Sequence, residues 1–222
     1  MEIHADGHTN FAGENGAGKT TTLRASLLFF GSRPGDIAKS KGDTFIGFGP
    51  FYFPRITSYL VYEYERAGEI LCVICSSSNG QIQYQFLNTA FNEDFFLYEK
   101  DNKKMIAQNA QLRLNIEQHH FELSKKVSPD VYSEIIQSNK PYRKRTPSAD
   151  IIRELRPRYS LPTQGKSMIG VDRVLANIFS SKASVAHIQS ALTNILIQDN
   201  MIPSRTLSLD EQSGSINEWF HA

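Results

Sequence analysis

The sequence has little of several features that mark particular classes of protein. Cysteine occurs twice among 222 residues, which excludes a disulfide-stabilised scaffold and favours a reducing compartment. There is no run of about 18 apolar residues, so we expect no transmembrane helix, and residues 1–8 lack the layout of a secretory signal. Charge of one sign is also lacking, since 24 basic and 23 acidic residues leave a net charge of +1. With 40% hydrophobic residues, the composition predicts a folded, cytoplasmic protein.

Cys72 and Cys75 form a C-x-x-C pair, which raises the hypothesis of zinc or redox chemistry. The pair lies in a β-rich run over Glu69–Ser76, and positions three apart on a strand point to opposite faces. No second cysteine pair can complete a zinc site. We therefore predict two core or half-buried cysteines. The six histidines, including the adjacent His119 and His120, show no metal-ligand spacing either.

A basic segment over residues 140–158 breaks the overall charge balance. It contains seven basic and two acidic residues, a local charge of +5. Such a patch can neutralise phosphates of a nucleic acid, or it can be a solvated surface around a helix that starts near Pro147. The candidates for DNA contact are Lys140, Arg143, Lys144 and Arg145.

The length predicts one large domain or one domain with an elaboration, and the pattern of apolar and turn residues predicts a mixed α/β chain. A helix is predicted over Lys19–Phe30, followed by a loop-rich stretch with several glycines over Ser32–Phe53. Three antiparallel strands with short turns follow, over Ser58–Glu65, Ile70–Cys75 and Gln81–Leu87.

The remaining residues are predicted to be mainly helical. The predicted elements are a helix within Gln108–His120, an extended segment over Phe121–Ser124, a helix from Ser128 and Pro129 to Ile136, and a short helix over Asp150–Leu155. Two amphipathic stripes, within residues 171–179 and 185–196, are typical of core packing. The polar residues 204–222 are expected to form a loose tail.

The phosphate-loop pattern G-x-x-x-x-G-K-[ST] is matched in full by residues 13–20. A predicted strand end at Thr9–Ala12 precedes it and a predicted helix follows it. Glycines let backbone N–H groups curl around a phosphate, and the helix adds its positive N-terminal end. In this pattern Lys19 is the catalytic cation on the outer phosphates, and the Thr20 hydroxyl is the Mg²⁺ ligand. The predicted nucleotide-binding residues are Gly13, Asn15, Gly16, Ala17, Gly18, Lys19, Thr20 and Thr21.

Other parts of a complete ATPase site are missing from the sequence. Hydrolysis needs an acidic residue at the end of a second apolar strand to orient Mg²⁺. No four apolar residues precede an Asp-Glu pair, and the run Leu207–Glu211 is too polar for a buried strand. The chain is therefore expected to be a nucleotide-binding module, or a piece of an ATPase whose complement lies elsewhere. A glycine-rich turn without a ligand would leave Lys19 unexplained.

The run Asn15-Gly-Ala-Gly-Lys-Thr-Thr21 resembles the phosphate loop of SMC-type ABC ATPases. These include the SMC proteins, the bacterial condensin MukB with its MksB and JetC relatives, and the RecF and RecN repair proteins. The order of phosphate loop, helix, basic loop, antiparallel β lobe and further helices is similar too. Residues 45–54 and 58–65 look most like the MksB/JetC branch. The resemblance implies an α/β fold, a P-loop ABC-type half-head with an antiparallel β lobe and additional helices.

By this resemblance, residues 1–222 would be the N-terminal half of an ATPase head. Residues 1–57 would hold the phosphate loop, first helix and basic loop, 58–87 the β lobe, 88–203 a mainly helical part, and 204–222 a tail. The C-terminal head segment of the same protein would supply the acidic strand and the signature motif. A second head would close over ATP. Fewer residues precede the phosphate loop here than in the family, so a clipped or different start is expected.

The implied activity is that of an ATPase with ATP and Mg²⁺ as cofactors, inactive without the C-terminal half. The implied role is DNA organisation in chromosome segregation, condensation or plasmid defence. Implied partners are DNA and accessory subunits, with no membrane, in the cytoplasm at the nucleoid. Arg33, Lys39 and Lys41 of the basic loop would contact nucleotide or DNA. For the family's Mg²⁺-contacting glutamine, Gln108, Gln164 and other glutamines compete.

Three alternatives remain open at this stage. A repair ATPase of RecF or RecN type would differ in the length of the heptad region that follows. A non-hydrolysing interaction module would use nucleotide as a structural ligand. A small-molecule P-loop kinase would need a lid with arginines and a complete acidic site, and the three predicted antiparallel strands argue against it.

Overall fold

The computed structural model describes residue 14 and residues 18–35, 37, 39–41, 44–138, 147–162 and 168. Its helices are α1 (Lys19–Phe29), α2 (Phe48–Tyr52), α3 (Asn109–Gln118), α4 (Pro129–Ile136) and α5 (Pro147–Tyr159). Its strands are β1 (Lys39–Lys41), β2 (Thr44–Ile46), β3 (Tyr59–Arg66), β4 (Glu69–Ser78), β5 (Gln81–Leu87), β6 (Leu97–Lys100) and β7 (Lys103–Ile106). The described residues thus form a mixed α/β structure with antiparallel sheets, as predicted at that level.

The central sheet has three antiparallel strands in the order β3-β4-β5, which confirms the three predicted strands. Tyr62 lies opposite Val73 on the first pair, and Cys75 lies opposite Tyr84 on the second. Both connections are two-residue turns with positive φ at each position, 53° and 82° in the first and 51° and 76° in the second. Such turns match the twist of antiparallel strands, so they bring the three strands into one sheet.

Both faces of this sheet are covered, and β4 is buried on both. The first core lies between the sheet and helices α1, α4 and α5. The second core lies between the opposite face and α3, β6 and the 3₁₀ turn over Glu93–Phe95. Buried members of the first core include Leu28, Leu71, Val73, Phe86, Ile135 and Leu155. Buried members of the second include Ile74, Leu87, Phe95, Leu112 and Ile116.

The two cysteines confirm the predicted divergence of a C-x-x-C pair on a strand. Cys75 belongs to the first core and Cys72 to the second, with exposed fractions of 0% and 1%. Burial raises the pKa of the Cys72 thiol from 9.0 to about 12, and it raises the pKa of the Cys75 thiol further. Both thiols are therefore protonated at neutral pH and face different layers of the molecule.

Several elements differ from the sequence-based expectation. The stretch predicted as loop between Ser32 and Phe53 contains the hairpin β1-β2 and the short helix α2. Within the part predicted to be mainly helical, residues 97–106 form the hairpin β6-β7, which was not predicted. Its turn residues Asp101 and Asn102 have φ values of 53° and 57°, which these side chains tolerate. Helix α5 is also longer than the predicted Asp150–Leu155.

Other predicted elements are confirmed. Ser128 caps α4 by accepting a hydrogen bond from the Val131 N–H at 3.4 Å, and Pro129 occupies the first helical position. The segment after α3 is extended, because Leu123 and Val127 pair with the outer edge of β5. Helix α3 lies within the range predicted for it.

A buried asparagine ties α3 to the start of β6. The Asn115 amide donates to the carbonyl oxygens of Phe95 and Leu97, each at 2.9 Å, and its oxygen accepts from Gln111 at 2.8 Å.

Among the described helices, none combines the length and apolar character needed to span a bilayer. The predicted strand end at Thr9–Ala12, the stripes within 171–179 and 185–196, and the tail 204–222 lie outside the described residues.

Candidate phosphate-binding site

Helix α1 begins directly after Gly18, which adopts a left-handed conformation with φ of 83°. A Cβ at this glycine would meet no atom within 4 Å, so the backbone angle and not space favours glycine here. The Gly18 carbonyl oxygen accepts from the N–H of Thr22 at 2.9 Å and from its hydroxyl at 3.1 Å. No acidic residue lies in the first turn, and no side-chain hydrogen bond caps it. The first N–H groups of α1 therefore form a positive end suited to an anion.

Lys19 is the first residue of α1, and its side chain reaches back to Glu14. Its Nζ donates to the carbonyl oxygen of Glu14 at 2.8 Å, which brings the ammonium group close to the loop backbone. Thr20, the next residue, is exposed. A lysine and an exposed threonine are therefore consecutive residues at the positive end of one helix. These are the groups that a Mg²⁺-bound polyphosphate requires, so the residues present fit this ligand.

The structure places only part of the predicted site. Gly18, Lys19, Thr20 and Thr21 are contiguous at the start of α1. The other predicted nucleotide-binding residues lie outside the described part of the chain; these are Gly13, Asn15, Gly16 and Ala17.

The basic residues proposed for nucleotide or DNA contact are distributed differently. Arg33 follows the C-terminal end of α1, about 16 Å of helix away from Gly18, so its position does not favour contact with a nucleotide at Lys19. It pairs with Asp130 at 3.7 Å, and both side chains are about three-quarters exposed. Lys39 and Lys41 lie on β1. The four candidates Lys140, Arg143, Lys144 and Arg145 fall outside the described residues, so DNA contact stays a prediction.

The glutamine expected to contact Mg²⁺ remains unassigned. Gln108 precedes α3, which packs on the sheet face opposite to α1. Gln164 lies outside the described residues. Within the described ranges, no group of three or more His, Cys, Asp or Glu side chains is arranged to hold a metal ion.

A row of tyrosine hydroxyl groups, which no sequence pattern indicated, holds α1. Tyr52 of α2 donates to the Thr21 carbonyl oxygen at 2.9 Å, and Tyr62 of β3 donates to that of Ala25 at 2.7 Å. Tyr132 of α4 donates to the Phe29 carbonyl oxygen at 2.7 Å. We call these three side chains the tyrosine row. The available signal was that a buried tyrosine needs a hydrogen-bond partner, but the sequence does not say which one.

The acceptors of the tyrosine row lie four residues apart along α1. Because an α-helix turns 100° and rises 1.5 Å per residue, they follow one side of the helix over about 12 Å. The amide of Gln137 adds a fourth donor at the end of this row, 2.7 Å from the Phe30 carbonyl oxygen. The orientation of α1 about its own axis is thereby fixed by side chains from three other elements.

Burial raises the pKa of each hydroxyl in the tyrosine row. For Tyr62 and Tyr132 the pKa lies well above the ordinary value of 10.0. For Tyr52 the increase from burial is opposed by the nearby positive charge of Arg24. All three hydroxyls are protonated donors at neutral pH.

The described residues define a mixed α/β protein with antiparallel sheets, in which the first helix continues a phosphate-loop sequence. The chain belongs to the family DUF3584, described as a protein of unknown function, whose model matches residues 1–222. A search of curated proteins and a search of solved structures found no significant match.

Proposed function

We propose that the chain is the ATP-binding N-terminal segment of an SMC/MukB-like head that organises DNA. The observation that carries the proposal is the full phosphate-loop pattern at residues 13–20 leading into α1, with Lys19 turned back to the loop carbonyl of Glu14 at 2.8 Å. The antiparallel β lobe packed on α1 supports the comparison with such heads. The position of the phosphate loop ahead of this lobe supports it too.

The chain's own residues have distinct parts in this proposal. Lys19 exchanges its hydrogen bond to the Glu14 carbonyl oxygen for one to an outer phosphate oxygen, because a charged acceptor is the stronger partner. The N–H groups at the start of α1 bind the same anion. The exposed Thr20 hydroxyl is the protein ligand for Mg²⁺. Bound Mg²⁺ would offset phosphate charge.

Turnover requires groups that the sequence does not supply. No apolar strand ending in Asp-Glu and no signature motif occur in it. We therefore propose that a C-terminal head segment provides the acidic strand and that a second head closes over ATP. ATP would then join two protein surfaces, and its hydrolysis would release them. Chromosome segregation, condensation and plasmid defence are all compatible with this scheme.

The test is equilibrium binding of ATP with Mg²⁺ to the wild-type chain, Lys19→Ala and Lys103→Ala. Lys103 is an exposed lysine on β7, on the opposite side of the sheet, so its variant removes the same charge elsewhere. We expect Lys19→Ala to bind at least about tenfold more weakly, since it loses a charge-assisted contact. Lys103→Ala should bind like the wild type. Equal affinity in all three proteins would overturn the proposal.

A second measurement separates the alternatives. ATP turnover is compared for the chain alone and for the chain mixed with the C-terminal segment of its protein. Turnover only in the mixture, lost in Lys19→Ala, supports a split head. Binding without turnover in either case supports a module that uses nucleotide as a structural ligand. Turnover by the chain alone would favour a self-contained enzyme such as a kinase.

A further inference from the structure

We propose that Tyr52 is a positioning residue for the phosphate-binding end of α1 and that helix α2 thereby responds to nucleotide. This inference rests on the proposed function, because it concerns the same site. It adds a route by which binding at Lys19 and Thr20 reaches another element of the fold.

Within the tyrosine row, Tyr52 contacts the first turn of α1. Its acceptor, the Thr21 carbonyl oxygen, belongs to the residue directly after Thr20. Tyr62 and Tyr132 contact α1 one and two turns further on. Tyr52 is thus the member of the row that holds the turn carrying the candidate phosphate and Mg²⁺ ligands.

The contacts of this turn within the helix differ in kind from the contact that Tyr52 makes. The first turn of α1 has no capping side chain, and its described contacts to Gly18 lie within the turn itself. Uncapped helix ends fray. The hydroxyl of Tyr52, at a sequence separation of 31 residues, is a tertiary restraint on the turn.

Tyr52 is the last residue of α2, and its ring packs within that helix. Its ring stacks on Phe48 with centroids 4.3 Å apart, and Phe48 is buried in the first core. Gly49 of α2 lies next to the β4-β5 turn, since a Cβ there would be in ordinary van der Waals contact with the Gly80 carbonyl oxygen at 3.6 Å. Helix α2 therefore contacts both the start of α1 and the β4-β5 turn. We expect movement of the first turn of α1 to displace α2 through the Tyr52 contact.

The Tyr52 contact and nucleotide binding are thermodynamically linked in this proposal. If the Tyr52 hydroxyl favours the turn geometry that binds nucleotide, bound nucleotide must favour the Tyr52 contact by the same factor. Nucleotide should therefore order α2, and loss of the hydroxyl should weaken binding of nucleotide. The effect should be larger with Mg²⁺ present, because the adjacent Thr20 is the proposed metal ligand.

The experiment compares Tyr52→Phe with Tyr132→Phe in the 222-residue chain. Tyr132 donates to the carbonyl oxygen of Phe29, in the last turn of α1, where carbonyl groups lack an intrahelical partner. The Thr21 carbonyl oxygen, in contrast, also accepts a helical N–H. A purely structural role predicts that Tyr132→Phe is the more harmful change by every measure. The positioning role predicts that the order reverses for nucleotide affinity.

The measurements are the dissociation constant for ATP, with Mg²⁺ and with a chelator, and the melting temperature. We expect Tyr52→Phe to weaken MgATP binding by several-fold, up to about tenfold, with little loss in melting temperature. Without Mg²⁺ the loss of affinity should shrink. Tyr132→Phe should melt lower while binding MgATP like the wild type. Hydrogen exchange at α2 should slow when MgATP is added to the wild type.

Each other outcome overturns a defined statement. If the wild type binds no ATP, the proposed function fails and this inference fails with it. If the wild type binds ATP and Tyr52→Phe binds it equally well, the positioning role fails while the proposed function stands. If both variants lose affinity in proportion to their loss of melting temperature, Tyr52 acts only through general stability and the inference is wrong.

Discussion

Tyr84 and Tyr132 stack face to face in the first core, with ring centroids 3.9 Å apart and 4° between their planes. Both are fully buried, with exposed fractions of 0%, yet their hydroxyl groups have different surroundings. Tyr132 donates to the Phe29 carbonyl oxygen at 2.7 Å. The Tyr84 hydroxyl has no oxygen or nitrogen partner among the described residues, and the Cys75 thiol beside it is a weak one. Two neighbouring rings thus differ in what their hydroxyl groups contribute to the stability of the fold.

This difference predicts opposite effects of the same substitution. Tyr132→Phe leaves a buried carbonyl group unpaired and should lower the free energy of unfolding by about 1–3 kcal/mol. Tyr84→Phe removes a buried hydroxyl without a good partner, so its effect should lie between neutral and a gain of about 1 kcal/mol. Denaturant unfolding of both variants checks the pair. Equal losses would contradict the hydrogen-bond assignment.

The buried tyrosines predict a loss of stability in alkali. The folded-state pKa values of Tyr62, Tyr84 and Tyr132 are raised well above 10.0, mainly by burial. Above pH 10.0 the folded state keeps protons that the unfolded state releases, so the free energy of unfolding falls as the pH rises. Cys72, raised from 9.0 to about 12, starts this fall near pH 9. Each such group contributes about 1.4 kcal/mol per pH unit.

Tyrosinate absorbance and far-ultraviolet circular dichroism, followed together from neutral to alkaline pH, test this expectation. The buried tyrosines should ionise only as the secondary structure is lost. The Tyr62→Phe protein provides the control, because it should show a slope of stability against pH that is smaller by about 1.4 kcal/mol per pH unit. Ionisation of all tyrosines before any loss of secondary structure would contradict the burial assignments.

Three glycines separate the effect of backbone angle from that of close packing. Gly68 has φ of 82° and open space, whereas Gly31 has φ of 87° and a Cβ there would lie 2.9 Å from Gln137 Nε2 and 3.1 Å from Ser133 Cα. Gly35 shows neither feature. Gly68→Ala should cost roughly 1–2 kcal/mol, Gly31→Ala more, and Gly35→Ala close to nothing. Thermal unfolding of the three proteins checks the order, and equal values for Gly31→Ala and Gly68→Ala would contradict the contact with α4.

The two thiols predict the accessibility of the central strand. Cys72 and Cys75 are buried in separate cores and protonated at neutral pH. A thiol reagent should therefore leave both unmodified in the native protein and modify both in denaturant. The matched control is Lys103→Cys, which puts a third thiol on the exposed strand β7 and should react at once. Rapid native modification of Cys72 or Cys75 would contradict the burial of β4 on both faces.

The sequence was sufficient where periodicity and turn chemistry agreed. The strands β3, β4 and β5 are runs of β-forming residues separated by two-residue turns. Ser128 with Pro129 marks the start of α4. It was insufficient for the hairpin β6-β7, because β7 is exposed along its whole length and so shows no alternation of apolar and polar residues. Helix α2 was missed because Gly49 and Pro50 lie inside it, and both residues usually argue against a helix.

The candidate site was predictable in part for a similar reason. The phosphate-loop pattern is local, so Gly18, Lys19 and Thr20 could be assigned from sequence alone, and the structure places them at the start of α1. The hydroxyl of Tyr52 reaches Thr21 across 31 residues, and that of Tyr132 reaches Phe29 across 103. Such contacts follow from the packing of distant elements, and a single sequence carries no pattern for them.

The burial of β4 on both faces also bears on how the molecule opens. Helix α3 and the hairpin β6-β7 cover one face only, so they can separate from the sheet as a unit while α1, α4 and α5 still cover the other. The backbone amides of β4 pair with β3 on one side and β5 on the other, so we expect them to exchange with solvent only when the whole sheet is lost. Slowest exchange at β4, with faster exchange in α3, would therefore divide the chain into a sheet that reports global unfolding and an outer layer that opens by itself.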